Sequence, residues 1–109
     1  MKESTEIENH YLQQKVFTNR LEQNRPNPFT SSTEICFMID KELDITLTVF
    51  DTLGSEVAVI VQSKLKKGLY SYFFDGSRLP AGVYYYKLTS PEFSAMRKMV
   101  LLERVVKFN

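Results

Sequence analysis

Apolar and polar positions alternate with a period of two along most of this chain. That spacing sends successive side chains to opposite faces of a strand. In TEICFMID (residues 33–40), Ile35, Phe37 and Ile39 alternate with Glu34, Cys36 and Met38, giving one apolar and one mixed face. DITLTVFD (residues 44–51) alternates more cleanly, with Ile45, Leu47 and Val49 set against Thr46 and Thr48. The β-branched threonines suit a solvated strand face. EVAVIVQ (residues 56–62) is apolar on both faces and is expected to be the most buried strand. LYSYFFD (residues 69–75) gathers Tyr70, Tyr72 and Phe74 on one side. Tyr84, Tyr85 and Tyr86 follow one another in VYYYKL, so they cannot all share a face. SAMRKMVLLE (residues 94–103) is the last strand.

Turn signals separate these runs. Asp51 suits the first position of the DTLGSE turn, where its side chain can bond backbone two residues on, and Gly54 supplies the φ > 0 residue that closes a type I turn with a bulge. Gly68 ends the basic connection SKLKKG, Gly76, Pro80 and Gly82 mark a longer turn, and Pro91 marks another. Pro26 and Pro28 fix φ and bias the residues before them towards extended backbone, a stiff lead-in that Phe29 would anchor in the core. The spacing predicts an all-β fold, an antiparallel sandwich of about six or seven strands. No βαβ alternation is present. Residues 1–23 are polar and mixed in charge; Ile7, Tyr11 and Leu12 recur at helical spacing, so this arm is either a short amphipathic helix or loosely ordered.

Composition narrows the function classes. The chain has 109 residues, room for one modest core. Its net charge of +1 offers no global attraction to nucleic acid or to anionic membrane. Lys64, Lys66 and Lys67, with Arg97, Lys98, Arg104 and Lys107, read as a solvated loop and charged strand edges that deter sheet-to-sheet pairing. Cys36 is the only cysteine, so no internal disulfide forms and thiolate metal sites are excluded; it reads as a small half-buried residue. His10 has no nucleophile and acid arranged around it. Asp40, Glu42, Asp44 and Asp51 lack the glycine of a calcium loop, whose place Ile45 takes, and read as acids flanking a hairpin rather than as a metal site or a glycosidase pair. No catalytic residue and no cofactor is expected. The longest apolar run is too short for a transmembrane segment, and no signal peptide of the chain's own is expected at the N-terminus.

Four stretches, in order, resemble a known family. LEQNRPNPF (residues 21–29) is similar to an Asn-x-Pro-Asn-Pro-Phe box, LTVFDTLGSEV (residues 47–57) to a hairpin with an Asp-x-x-Gly-x-x-Val turn, KKGLYSYFFDGSRLPAGVYYYKL (residues 66–88) to a Gly-x-Tyr and Leu-Pro-x-Gly-Val-Tyr segment, and RKMVLL (residues 97–102) to a terminal strand. The family is the C-terminal sorting domain of the Por, or type IX, secretion system. The resemblance implies an Ig-like sandwich over residues 24–103, preceded by an arm or linker (1–23) and followed by a C-terminal extension (104–109). It implies structural roles for Asn24, Pro26, Asn27, Pro28, Phe29, Asp51, Gly54, Val57, Gly68, Asp75, Leu79, Pro80, Gly82, Tyr84 and Tyr86. The family pattern spaces Gly82, Tyr84, Tyr86 and Leu88 by two. The last three are thus expected on the core face opposite Tyr70, Tyr72 and Phe74, leaving Val83, Tyr85 and Lys87 outside with Tyr85 the one exposed tyrosine.

By the same resemblance the domain is a non-catalytic address on a longer protein. Its implied partners are the outer-membrane translocon, a sortase-like peptidase and a cargo domain upstream, and its destination is the cell surface or the medium. The expected reading surface is the last strand: Arg97, Lys98, Met99, Val100, Leu101 and Leu102. Fold alone does not fix function. An Ig-like adhesion or carbohydrate-binding module is a rival, as is a module that dimerises through an exposed edge strand.

Overall fold

A computed structural model describes residues 18–105. Seven antiparallel strands form two sheets: β1 (Arg20–Leu21), β2 (Ser32–Ile39) and β5 (Gly68–Asp75) in the order β1-β2-β5, and β3 (Leu43–Phe50), β4 (Glu56–Leu65), β6 (Gly82–Thr89) and β7 (Ser94–Leu101) in the order β4-β3-β6-β7. This is the expected β-sandwich. Among the described residues there is no helix; the helical spacing at Ile7, Tyr11 and Leu12, along with His10, Lys107 and the end of the extension, lies outside them. The core is the set of inward positions that alternation marks: Ile35, Phe37 and Ile39 from β2, Ile45, Leu47 and Val49 from β3, and Tyr84, Tyr86 and Leu88 from β6. Tyr70 and Tyr72 stack against Phe37, with ring centroids 5.4 and 5.9 Å apart. The hydroxyls of Tyr84 and Tyr86 donate to the carbonyls of Pro80 and Glu22, both at 2.6 Å. Two phenols can therefore sit in an apolar interior without an unpaired polar group.

The Asp51 turn forms as the sequence predicts. The Gly54 amide donates to the Asp51 carbonyl at 3.1 Å, and Gly54 has φ 85°. One carboxylate oxygen of Asp51 accepts from the amides of Leu53 and Ser55, each at 2.9 Å.

Three expectations are corrected. β4 is not the most buried strand but an edge strand with no fully buried residue. Its unbroken apolar run has another cause, two bulges that each set two of its residues against one of β3. Val57 with Ala58, and Ile60 with Val61, therefore all pack on the core, while Val59 between them is exposed. Thr48, assigned to a solvated face, is buried, because β3 is central and Thr48 lies between Val59 and Lys87 of the strands on either side. Tyr85 faces outward but is half-buried rather than exposed, flanked across the sheet by Phe50 and Lys98. In addition, Arg20 and Leu21 leave the polar arm to form β1, and Leu21 belongs to the core.

Candidate functional site: the last strand and the segment that closes it

β7 is the last strand of its sheet, bonded to β6 on one side. Its other side is occupied by residues 21–29. That segment first runs along β2, with the Glu22 amide bonded to the Cys36 carbonyl at 3.0 Å and an Arg25–Glu34 bridge. It then crosses to the other sheet, where Phe29 bridges Leu101 in parallel. The Phe29 amide donates to the Val100 carbonyl at 3.0 Å, and the Leu102 amide donates to the Phe29 carbonyl at 2.7 Å. Side chains complete the seam: Gln23 Nε2 donates to the Lys98 carbonyl at 2.7 Å, Asn27 Oδ1 accepts the Val100 amide at 2.9 Å, and Arg97 Nε donates to the Leu21 carbonyl at 2.8 Å.

The box residues thus have separate jobs. Asn24 is 1% exposed; its amide nitrogen donates to Thr33 Oγ1 at 2.9 Å and to the Pro26 carbonyl at 3.2 Å. Thr33 in turn donates to the same Pro26 carbonyl at 2.8 Å. These bonds fix the bend at Pro26, and the peptide bonds before Pro26 and Pro28 are both cis. Phe29 is 2% exposed and meets Phe74 edge-on with centroids 6.4 Å apart. Gly76 lets them close: a Cβ there would come within 3.2 Å of Phe29 and 3.3 Å of Leu101. Gly82 has φ 152° and opens β6 opposite Leu101. Gly68 opens β5, and Tyr70 caps that turn by donating to the Lys66 carbonyl at 2.6 Å. Asp75 accepts the Ser77 amide at 2.9 Å, and that bond, first among several causes, holds its carboxyl below the usual carboxylate range.

The six residues of the terminal motif divide by the pleat. Met99 and Leu101 are core side chains, 0% and 3% exposed. Lys98 and Val100 face outward, and Leu102, just beyond the strand, is exposed. Arg97 points to the seam. At the end of β7 a shallow cleft of about 530 Å³ brings three motifs together, lined by Thr30 after the box, Leu79 and Pro80 of the Leu-Pro segment, and Leu101, Leu102 and Arg104. The central hairpin does not line it. Gln23 and Thr33 carry no role in the sequence-based reading, and Gly76 reads there only as part of a turn. Local periodicity does not mark these contacts: Gln23 and Gly76 meet segments far away in sequence, and Thr33 bonds across the bend at Pro26.

Burial pushes the Tyr86 phenol up to about 12, partly offset by a backbone hydrogen bond at Asn24 and by the charge of Arg97. Among the described residues, no three His, Cys, Asp or Glu side chains are grouped to hold a metal ion, and no helix is long and apolar enough to cross a membrane. The family model for the secretion system C-terminal sorting domain matches residues 25–102. No curated protein matches the chain.

Proposed function

The chain belongs to the secretion-system C-terminal sorting domain family, and from that premise we propose that it is the non-catalytic address by which the type IX outer-membrane translocon exports a cargo domain lying upstream. A sortase-like peptidase would then attach the cargo to the cell surface. The observation that carries this reading is the family match, which runs from the Pro-Asn-Pro-Phe box through the hairpin and the Leu-Pro segment to the last strand.

The geometry of β7 supports a narrower reading surface than the whole terminal motif. A partner can read a sheet by adding a strand to its edge or by matching side chains in shape and charge. At β7 the first route is taken already by residues 21–29. Met99 and Leu101 serve the core. Our proposed reading surface is therefore Lys98, Val100 and Leu102, with Arg97 beside the seam and the cleft at the strand's end.

The test is a reporter that carries an export signal and ends in this domain. Deleting residues 96–109 should abolish surface delivery, but that deletion also strips Met99 and Leu101 from the core. The sharper variant is Lys98→Glu combined with Val100→Thr, which alters only the outward face. Delivery should fall several-fold while the urea midpoint of the isolated domain stays within the range of surface substitutions, about 0.5 kcal/mol. Full delivery by both the deletion and the double variant would overturn the proposal.

A further inference from the structure

Four strands border the two sheets: β1 and β5 in one, β4 and β7 in the other. Three of these edges are blunted. β7 is bonded by residues 21–29. β1 is two residues long. β4 carries two bulges, which twist an edge away from further pairing. β5 differs from all three. Its 8 residues pair with β2 without a register shift. The Gly76 amide donates to the Ser31 carbonyl at 2.7 Å, one step beyond the strand, and this fixes the parity of the ladder. Tyr70, Tyr72 and Phe74 turn their backbone groups to β2, whereas Leu69, Ser71, Phe73 and Asp75 turn theirs to the open edge. No Lys, Glu or Pro interrupts β5. Two of its outer-face side chains stand in water, Leu69 67% and Phe73 73% exposed.

We propose that β5 is a docking edge for a second copy of this chain, the two β5 strands pairing antiparallel about a two-fold axis at Ser71. The edge is self-complementary in this register. Ser71 meets the partner subunit's Ser71, two small side chains at the axis. Leu69 meets the partner subunit's Phe73, and Phe73 meets the partner subunit's Leu69, cross-strand pairs of the favourable aromatic–aliphatic kind. At each end the register sets Asp75 across from the partner subunit's Lys67, opposite charges. Moving the axis to Tyr72 would instead set Leu69 against the partner subunit's Asp75, an apolar side chain against a charge. The joined sheet has three strands from each copy, and it satisfies the one long unbulged row of outward backbone groups that the strands of the described residues leave. An edge contact of this length is small beside a standard interface, so association is reversible and concentration-dependent. The inference does not rest on the sorting role.

Sedimentation velocity of the whole chain, from low micromolar to near-millimolar concentration, tests it. The wild type should move from monomer towards dimer as concentration rises. Ser71→Lys places two ammonium groups face to face at the axis, where like charges destabilise, and should weaken association at least tenfold. Val59→Lys, on the exposed part of the β4 edge, should leave it unchanged. Circular dichroism confirms that each variant folds; should Ser71→Lys not fold, Phe73→Glu removes the same contact at an exposed position. A wild type that is monomeric at every concentration overturns the proposal. So does association that survives both β5 variants, or that is lost in Val59→Lys.

Discussion

Phe29 and Val100 are joined backbone to backbone: the Phe29 amide donates to the Val100 carbonyl at 3.0 Å. Asn27 takes the Val100 amide at 2.9 Å, so both polar groups on the free side of Val100 are bound by the Asn-Pro-Phe box. Box and terminal strand, the two ends of the family pattern, are one structural unit. A sheet edge that would otherwise invite pairing is thereby closed from within.

Removing one bond of that seam should loosen it locally. Asn27→Ala deletes the acceptor for the Val100 amide, a bond whose net contribution is about 0.5–1.5 kcal/mol. Native-state hydrogen exchange should show the Val100 amide exchanging roughly tenfold faster. Amides of β7 that bond to β6 should change less. Equal acceleration along all of β7 would mean that Asn27 stabilises the domain globally instead of pinning this edge.

Phe29→Ala should cost far more. It removes the buried ring that meets Phe74 edge-on, and Phe→Ala in a core costs about 3–5 kcal/mol. Domains of this size are stable by only about 5–15 kcal/mol. The urea midpoint should fall by a large fraction of its wild-type value.

Two glycines should fail for different reasons. Gly76→Ala pushes a Cβ against Phe29 and Leu101 and should cost about 1–3 kcal/mol as overpacking. Gly54→Ala meets no atom within 4 Å but sits at φ 85°, so backbone strain alone should cost about 1–2 kcal/mol. Combined with Phe29→Leu, Gly76→Ala should be non-additive and Gly54→Ala additive in urea titrations.

Tyr86 predicts how stability responds to alkali. Its folded phenol is pushed up to about 12, above its ordinary value of 10.0. Below the ordinary value both states hold the proton and the group adds no pH dependence. Between the two values the unfolded chain loses its proton while the folded chain keeps it, so stability should decline there by up to about 1.4 kcal/mol per pH unit. Tyr84, raised by burial, acts in the same direction. Thermal midpoints across this range should fall less steeply in Tyr86→Phe; an identical slope in the variant would assign the decline elsewhere.

Much of this protein is legible in its sequence, since it rests on local geometry. The pleat repeats every two residues, so Ile45, Leu47 and Val49 are inward whatever lies beside them. A turn needing φ > 0 selects its glycine, so Asp51 and Gly54 locate the β3–β4 hairpin. Tyr84 and Tyr86 follow the same rule, and both are core. Whether a strand is central or at an edge depends on which distant segments bond to it, and no local pattern carries that information. β4 therefore reads as buried but lies at an edge, and Thr48 reads as solvated but is buried. The last strand reads as one surface of six residues, yet the tertiary structure turns Met99 and Leu101 into the core and closes the strand's edge with the box. Residue alternation was written in the sequence; strand order and edge closure were decided by hydrogen bonds between segments far apart along it.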